Sequence, residues 1–397
     1  MDINGAQQDM DVKGLQIATI VWGAQNKMDT PSRKEISDRS IGLLMTYRCN
    51  LDCKYCYIHT KREKDMTLEM AQSILEPFLL DAGGLLDIKF MGGETLLASN
   101  VIIPLVEWIQ KKEWQRPYRF FGSTNGTLLT KELKEWLFAH RKILTLGLSY
   151  DGIPYAQKIN RTTAPIDLDY FVKTWPNQPI QMTINQESVG YMAEGIKYLL
   201  KKKALVHPNV AFEEDEWSEE SISLYKQQLH ELLSFYESNP HMPLITQFQH
   251  DLNEYAENLK NPPKEIQICG VGNGSLIFDT DGKSYNCHIL SPLVLSKQKL
   301  EILNTCVLEG NQDIFETECY GCPYVSSCPT CIACNYTYRG NLLKRDHTHC
   351  AIMRVEVEVF LRKEIKRLKG TETLSSEDAA EIDSIMALIG YNKSKRK

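Results

Sequence analysis

Short apolar runs alternate with amphipathic segments from about residue 40 to residue 215 of the chain. Short apolar runs bounded by turn residues are typical of buried strands, and the longer amphipathic segments between them predict helices. The predicted strands are 41–47, 85–91, 143–152, 180–185 and 210–216, and residues 118–126 predict a strand followed by a turn. The predicted helices are 66–80, 101–112, 131–140 and 191–203.

This alternation predicts an α/β fold. Repeated βα units imply a parallel sheet with right-handed crossovers, and six of them predict a partial, TIM-like (β/α)6 barrel over residues 41–218. In such barrels the chemistry lies at the carboxyl ends of the strands. Four motifs follow predicted strands: CNLDCKYC, GGE, STNG and SYDG. We therefore expect them to share one site.

The rest of the chain predicts three further regions and an N-terminal extension. The segment NPPKEIQ at 261–267 marks a boundary, and residues 275–288 predict a β-hairpin that turns at Asp281-Gly282. Two C-terminal helices are predicted at 351–368 and 375–390, the second ending at Gly390. The predicted regions are a 1–40 extension, the 41–218 barrel, a 219–264 helical bridge, a 265–352 cysteine-rich domain, and C-terminal helices with a basic tail at 353–397.

Charge and hydropathy restrict the classes of partner. The net charge is -6 and the pI about 5.9, which argues against a nucleic-acid partner that needs a basic face. No apolar stretch reaches the roughly 18 residues of a membrane span, and the first residues lack a signal-peptide pattern. We expect a cytoplasmic protein that binds neither nucleic acid nor membrane.

Cysteine usage changes this picture. The chain has 12 cysteines, which lie at 49–56 and between 269 and 350. In a reducing cytosol such clusters indicate metal ligation or catalysis rather than disulfides. Cys49, Cys53 and Cys56 follow the first predicted strand with the spacing C-x3-C-x2-C. A [4Fe–4S] cluster held by three thiolates leaves one iron open to another ligand. The alternative is a structural zinc site, for which His59 is the local fourth ligand.

With Tyr55, this motif resembles the C-x3-C-x-aromatic-C motif of the radical S-adenosylmethionine (SAM) superfamily. The resemblance implies that the open iron chelates the amino and carboxylate groups of SAM. It also implies that the reduced cluster cleaves SAM to methionine and a 5′-deoxyadenosyl radical.

Further motifs match the family in order. In Gly92-Gly93-Glu94 the glycines would let backbone approach a ligand, and Glu94 would bind the ammonium of SAM. For the STNG motif, the resemblance implies a strand edge that faces the ribose and the carboxylate of SAM. The alternative interpretation is an Asn-Gly turn without a binding role. Ser149, Asp151 and Gly152, with Arg161 further on, resemble the family's S-x-D-G…R element near SAM. The alternatives are that Ser149 is a helix cap and that Arg161 is a surface charge. Thr183 to Asn185 match the next strand edge of the family more loosely. The implied cofactor-binding residues are Tyr55, Gly92, Gly93, Glu94, Ser123, Asn125, Ser149, Asp151 and Arg161.

The C-terminal cysteines resemble the SPASM domain, which binds two auxiliary [4Fe–4S] clusters. The chain shows Gly282-x4-Cys287, then C-x2-C-x5-C-x2-C from 319 to 331, then Cys350. It departs from the usual pattern because Cys331, not a cysteine four positions on, follows Cys328. The stretch CPYVSSCPTCIACNY is similar to a variant in peptide thioether maturases, in which Cys331 is the ligand and Cys334 is extra.

The resemblance, over about residues 41–352, implies three [4Fe–4S] clusters in all. Cys319, Cys322, Cys328 and Cys350 would hold one auxiliary cluster. Cys269, Cys287 and Cys331 would hold the other, which is open at one iron or closed by Cys334 or Cys306. One or two zinc ribbons are the alternative for these pairs, and an inert buried thiol is the alternative for Cys306.

The implied function is a peptide maturase that abstracts hydrogen and installs a thioether or carbon–carbon crosslink. One alternative is a sulfatase-type maturase that oxidises a Cys or Ser side chain to an aldehyde, with His288 as the catalytic base in place of that subgroup's Asp. Another alternative is a noncatalytic iron–sulfur electron carrier.

The implied partners are a ribosomally made precursor peptide or protein side chain and an electron donor such as flavodoxin or ferredoxin. The 48 residues before Cys49 are too few for a full winged-helix leader-recognition domain. Leader binding would then use the helical bridge, the SPASM domain or a separate protein.

Overall fold

The computed structural model describes residues 40–59, 61–263, 276–303, 319–342 and 344–394. Within these ranges the chain is α/β, as the hydrophobic pattern predicts. Cys269, Cys306 and nearly all of the predicted N-terminal extension lie outside the described residues.

Parallel strands form the centre of the molecule. The strands are β1 (Ser40–Thr46), β2 (Leu86–Gly92), β3 (Tyr118–Thr124), β4 (Leu144–Leu148), β5 (Ile180–Ile184), β6 (Val206–Val210), β7 (Leu276–Phe278) and β8 (Ser284–Tyr285). One sheet has the order β4-β3-β2-β1-β7-β8, and β5 and β6 form a second, parallel pair. The backbone N–H of Tyr150 donates to the carbonyl of Gln181 at 2.9 Å and joins the two sheets just beyond β4. The result is the predicted partial barrel of six parallel strands.

The sixth strand is not where the apolar pattern places it. The pattern predicts 210–216, but β6 runs over Val206–Val210 and the following residues are irregular. Pro208 lies in the middle of β6 and weakens the strand signal, because proline cannot donate to a ladder. Proline is tolerated here because β6 pairs only with β5 among the described residues, and the Gln247 side chain donates to the Pro208 carbonyl at 3.0 Å.

The predicted hairpin is present, but its partner strand could not be read from the sequence. Strands β7 and β8 pair antiparallel, and β7 also pairs parallel with β1, with Ile41 opposite Leu276. The buried carboxylate of Asp279 accepts hydrogen bonds from the Tyr47 hydroxyl at 2.7 Å and from Lys64 Nζ at 3.1 Å. The hairpin therefore extends the barrel sheet beside the cysteine loop.

Twelve helices cover the described part of the chain. They are α1 (Leu68–Leu80), α2 (Ser99–Gln110), α3 (Lys131–His140), α4 (Pro154–Asn160), α5 (Leu168–Thr174), α6 (Met192–Lys201), α7 (Glu219–Ser238), α8 (Leu252–Lys260), α9 (Lys297–Leu303), α10 (Ile332–Arg339), α11 (His347–Lys369) and α12 (Ser376–Ser394). The predicted bridge contains α7 and α8, which pack against α11 and α12 respectively.

Three helical features differ from the prediction. Helix α10 lies inside the cysteine-rich segment, where the sequence suggested loops. Helix α11 begins at His347, four residues before the predicted start, so Cys350 lies in its first turn. Helix α12 passes through Gly390, because tertiary contacts outweigh the roughly 1 kcal/mol helix penalty of glycine. Leu388 is fully buried, and the Tyr324 hydroxyl donates to Asn392 Oδ1 at 2.8 Å.

The main core lies between the sheet and its covering helices. Strand β1 is buried from Ile41 to Thr46, as expected for a central parallel strand covered on both faces. A second apolar cluster surrounds α9 and α10 and includes the partly buried Cys287 and Cys331. In the described part of the chain, no helix combines the length and apolar character needed to cross a membrane.

Candidate functional site

The first cysteine loop begins where β1 ends. The backbone N–H of Cys56 donates to the carbonyl of Cys53 at 3.0 Å, which folds the loop into a turn. Burial, with smaller contributions from the nearby Cys56 and Cys49 thiols, raises the pKa of the Cys53 thiol to about 11 against the lowering effect of Arg161. The three thiols therefore lie together, and a bound cation would favour their thiolate forms.

The glycines of the GGE motif contact the protein's own backbone. Gly92 has a φ of +146°, and a Cβ on Gly93 would lie 2.2 Å from the Arg48 carbonyl oxygen and 3.0 Å from the Cβ of Cys49. The Gly93 N–H donates to the Thr46 carbonyl at 3.0 Å, and the Glu94 N–H donates to the Arg48 carbonyl at 2.8 Å. These glycines hold the end of β2 against the cysteine loop, and their approach to a ligand stays a prediction.

The Glu94 carboxylate is buried and oriented by three donors. It accepts from the Thr124 hydroxyl at 2.7 Å, the Asn125 N–H at 2.8 Å and the Leu96 N–H at 3.1 Å. Burial raises the pKa of Glu94, and the hydrogen bonds oppose that rise. Three donors use three of the about four acceptor positions of a carboxylate, so one position can take an ammonium donor.

Asn125 connects the third strand to the cysteine loop. Its side-chain Nδ2 donates to Asn50 Oδ1 at 2.9 Å, and the Asn50 Nδ2 donates to the Thr127 hydroxyl at 2.8 Å. Ser123, at the end of the same strand, has an exposed side chain. The structure therefore brings Asn125 to the site through Asn50 and places Ser123 at the adjoining strand edge.

Asp151 is the centre of a second buried network. Its Oδ2 accepts from the Tyr55 hydroxyl at 2.5 Å, from Arg161 Nε at 3.0 Å and from Asn160 Nδ2 at 3.2 Å. Its Oδ1 accepts from the Thr183 N–H at 3.0 Å. Burial alone would lower the pKa of Arg161, but Asp151 outweighs it and the pKa is raised. The aromatic residue of the cysteine motif is thereby fixed to the fourth and fifth strands.

Ser149 and Asn185 lie just beyond the ends of strands, and among the described residues they form no hydrogen bond to the Glu94 or Asp151 carboxylates. The Ser149 N–H donates to the Thr124 carbonyl at 2.9 Å, and its side chain is partly buried at the end of the fourth strand. Asn185 Oδ1 accepts from the Ser188 N–H at 3.0 Å and hydroxyl at 2.7 Å, so this side chain orders the turn after β5.

The four cysteines predicted to hold one auxiliary cluster come together beside α11. A cavity of about 370 Å³ is lined by Cys322, Cys328 and Cys350. The Arg345 guanidinium donates to the sulfur of Cys319 and, at 3.4 Å, to that of Cys328. Within the described residues, no three His, Cys, Asp or Glu side chains converge on a single-ion site. The cavity has room for a group larger than one ion.

The other described cysteines form a second group. Cys331 caps the start of α10, and its sulfur accepts from the Cys334 N–H at 3.4 Å. The hydrogen bond from the Cys334 side chain is the main cause that lowers the pKa of Cys331 to about 7. Cys287 interacts electrostatically with Cys334, which places all three thiols in one apolar cluster. Cys334 therefore lies beside Cys331 at the predicted ligand position.

Tyr57 packs against both the cysteine loop and this second group. Its partly buried ring is within electrostatic range of Cys56 and of Cys287, Cys331 and Cys334. Its hydroxyl lies 2.9 Å from Nε2 of His288. Burial lowers the pKa of His288 to about 4, so this imidazole is neutral near pH 7. A neutral imidazole nitrogen can accept the phenolic hydrogen.

Sequence reasoning missed five residues of these networks, which are Asn50, Tyr57, Thr124, Asn160 and Arg345. Asn50 and Tyr57 lie in or beside the cysteine motif, and Thr124 lies within STNG. Their positions marked them as candidate site residues, but the sequence did not indicate what each side chain binds. Asn160 and Arg345 reach the site only through the fold. The sequence carries no spacing rule that would identify them.

Comparison with known proteins identifies one segment of the chain. The family model of the radical SAM superfamily matches residues 43–167. An uncharacterized protein of Methanocaldococcus jannaschii, MJ0907, is 28% identical over 267 residues, which is 63% of this chain and 85% of that protein.

Two named relatives match over shorter segments. The cysteine-type anaerobic sulfatase-maturating enzyme of Clostridium perfringens is 29% identical over 134 residues, 32% of this chain and 35% of its own length. The antilisterial bacteriocin subtilosin biosynthesis protein AlbA of Bacillus subtilis is 29% identical over 109 residues, 28% of this chain and 23% of its own length. The chain thus spans about a third or less of these two relatives.

A solved structure confirms the fold. The structure described as native anSMEcpe with bound AdoMet superposes with a TM-score of 0.60 at 19% identity, covering 83% of this chain and 97% of that one. Radical SAM proteins use a [4Fe–4S] cluster and SAM, and the thiol loop and the Glu94 carboxylate fit these two groups. Residues 43–167 of the chain therefore form a radical SAM domain.

Proposed function

We propose that this protein is a peptide-modifying radical SAM enzyme that removes hydrogen from a peptide substrate and installs a thioether or carbon–carbon crosslink. The observation that carries this proposal is the position of Tyr57. It packs against both the apolar cluster that contains Cys56 and the apolar cluster that contains Cys287, Cys331 and Cys334. This shared neighbour supports the proposal that two redox clusters lie close to each other.

The protein's own side chains would hold the cofactors in defined positions. Cys49, Cys53 and Cys56 would ligate the first cluster, and Glu94 would accept a hydrogen bond from the SAM ammonium. Asp151, through Tyr55 and Arg161, would fix the orientation of the cysteine loop. When bound, the reduced cluster and SAM supply methionine and a 5′-deoxyadenosyl radical.

The second thiol group gives the reaction a place for its electron. Joining a substrate carbon to a cysteine sulfur breaks one C–H and one S–H bond and forms one C–S bond. One hydrogen leaves as an atom, and the other leaves as a proton and an electron. The electron requires an acceptor, for which we propose an auxiliary [4Fe–4S] cluster held by Cys269, Cys287 and Cys331, open at one iron or closed by Cys334 or Cys306. A second auxiliary cluster would occupy Cys319, Cys322, Cys328 and Cys350.

A sulfatase-type maturase is the second candidate function. The similarity to the Clostridium perfringens sulfatase-maturating enzyme favours it. Oxidation of a serine hydroxymethyl group to an aldehyde also releases one hydrogen atom, one proton and one electron. The proposed base would be His288, and because its Nε2 accepts from Tyr57, it would act through the Tyr57 hydroxyl. The low pKa of His288 makes it a weak base, so we place this function second.

The partners follow from the same chemistry. A ribosomally made precursor peptide would enter at the carboxyl ends of the strands, and a flavodoxin or ferredoxin would reduce the first cluster. A separate leader-binding protein would position the peptide if the bridge helices α7 and α8 do not.

The test is anaerobic incubation of the iron-loaded protein with dithionite, SAM and the peptides encoded by short reading frames beside its gene. We expect 5′-deoxyadenosine and a peptide that has lost two hydrogens. Fragmentation that is blocked between two residues identifies a crosslink, whereas reaction with a hydrazide identifies an aldehyde. A noncatalytic electron carrier would form no 5′-deoxyadenosine.

A further inference from the structure

Arg345 is buried against two cysteines beside α11, of which Cys328 lines the cavity described above. It is 7% exposed, and its guanidinium donates through Nη1 to the Cys319 sulfur and through Nη2 to the Cys328 sulfur. These cysteines lie 26 and 17 residues away along the chain. A guanidinium stays charged in proteins and presents its donors as a planar fork. The fork spans two sulfurs that would belong to one cluster.

The backbone around Arg345 is held in place. The next residue, Asp346, caps α11 by accepting from the Thr348 N–H at 2.9 Å. The other oxygen of Asp346 pairs with Arg339 Nη2 at 3.2 Å. A second guanidinium, that of Arg354, lines the same cavity one turn beyond Cys350. Two cationic side chains therefore face the space among these cysteines.

The positive charge of Arg345 and its hydrogen bonds to the ligand sulfurs would both act on a cluster in this cavity. Reduction adds one negative charge to the cluster and its thiolates. A buried cation and N–H donors to the ligand sulfurs stabilise that extra charge, so they favour the reduced form and raise the reduction potential. Because Arg345, Cys319 and Cys328 are themselves buried, their interaction is screened much less than one on the surface.

The second thiol group has a different environment. Tyr57 and Tyr338 pack in the same apolar cluster as Cys287, Cys331 and Cys334. Arg339 acts electrostatically on Cys334 but is also paired with Asp346. A change at Arg345 should therefore act selectively on the group beside α11.

We propose that Arg345 is a positioning residue that tunes the reduction potential of the auxiliary cluster held by Cys319, Cys322, Cys328 and Cys350. The inference rests on the auxiliary clusters of the proposed function. Arg345 touches no substrate in this account. It acts through the two ligand sulfurs and sets how readily this cluster takes up an electron.

The test uses full-length protein in which Cys49, Cys53 and Cys56 are replaced by Ala, so that signals of the SAM-binding cluster are removed. Arg345→Gln, Arg345→Lys and the matched control Arg362→Gln are compared by iron content and by redox titration followed by electron paramagnetic resonance. Arg362 lies on the same α11 but is 58% exposed, so its loss changes the net charge equally without touching the cavity.

In Arg345→Gln we expect the wild-type iron content and a lower potential for one auxiliary cluster. The equilibrium constant for its reduction should fall by at least about tenfold, which is about 59 mV for one electron. In Arg345→Lys the fall should be smaller, because an ammonium keeps the charge but not the planar fork. Arg362→Gln should match the starting protein.

Two outcomes would overturn the inference. One is Arg345→Gln with full iron and an unchanged potential for both auxiliary clusters. The other, if Arg345→Gln loses iron, is Arg345→Lys with full iron and an unchanged potential, since the two-sulfur contact would then be irrelevant. Failure of the proposed function looks different: Cys319→Ala/Cys322→Ala would keep all of its iron, because no cluster is held there.

Discussion

The Tyr57 hydroxyl and Nε2 of His288 lie 2.9 Å apart, although the two residues are separated by 231 positions in the chain. Tyr57 directly follows Cys56, and His288 directly follows Cys287. This hydrogen bond joins the loop after β1 to the segment after the β7–β8 hairpin. It therefore fixes one cysteine group relative to the other, which an electron transfer between them requires.

Replacing Tyr57 with Phe should weaken this connection. The change removes the phenolic donor and leaves a partly buried imidazole nitrogen without it, at a cost of about 1 kcal/mol. We expect a lower melting temperature with unchanged iron content. Tyr155→Phe, at a side chain that is 53% exposed, is the matched control. Equal melting temperatures for both variants would show that the hydrogen bond contributes nothing to stability.

Replacing Glu94 with Gln should separate SAM binding from cluster assembly. The amide cannot accept from Thr124, Leu96 and Asn125 as the carboxylate does, and it lacks the charge that attracts an ammonium. Loss of a charge-assisted hydrogen bond costs on the order of 1.5–3 kcal/mol, or roughly tenfold to a hundredfold in affinity. We expect full iron content with weaker SAM binding in equilibrium dialysis. Unchanged affinity would mean that Glu94 does not contact SAM.

Replacing Gly93 with Ala should disturb the first cysteine loop. The new Cβ would lie 2.2 Å from the Arg48 carbonyl oxygen, so the loop that carries Cys49 must move. We expect loss of about four irons, the content of one cluster, and loss of SAM cleavage, while the auxiliary clusters remain. Gly190→Ala is the control, since its nearest atom would be at an ordinary 3.5 Å. Full iron content and SAM cleavage in Gly93→Ala would contradict the described packing.

Local patterns predicted the parts of this fold that depend on local sequence. The apolar run of β1 forms a buried strand, and the thiol and GGE motifs follow strands as expected. Asp151 and Arg161, which one motif grouped without predicting that they pair, form an ion pair at 3.0 Å. In each case the spacing of nearby residues carries the information.

Features that depend on long-range packing were not predictable. The pairing of β7 with β1, the placement of Arg345 against Cys319 and the role of Tyr57 each join segments distant in the chain. Helix α12 passes Gly390 for the same reason, because contacts with Tyr324 outweigh the local stop signal. The position of β6 was not predicted because Pro208 lies inside it, and proline in a sequence argues against a strand. An edge strand tolerates proline, but the sequence does not show which strand lies at an edge.

His250 should make stability depend on pH. Burial lowers its pKa from 6.5 to about 4, so the unfolded chain binds a proton at this residue more tightly than the folded chain does. Its contribution to stability is full above about pH 6.5 and is lost as the pH falls towards 4, a change of about 1–3 kcal/mol. Glu356 lines the same cavity, and burial raises its pKa to about 7, which gives the opposite sign.

The comparison must therefore be between wild type and His250→Gln in the same buffers. Urea unfolding at pH 7 and pH 4.5 should show that the variant loses less stability on acidification than the wild type does. Parallel pH curves for the two proteins would show that His250 is not the group that titrates in this window.

The central claim is that this protein removes hydrogen from a peptide. The most direct measurement is deuterium transfer from a fully deuterated peptide, encoded beside the gene, into 5′-deoxyadenosine, detected by mass spectrometry. We expect 5′-deoxyadenosine that carries deuterium from the peptide, and none from the variant in which Cys49, Cys53 and Cys56 are replaced by Ala. Formation of 5′-deoxyadenosine without deuterium for every such peptide, with the peptides unchanged in mass, would contradict the account.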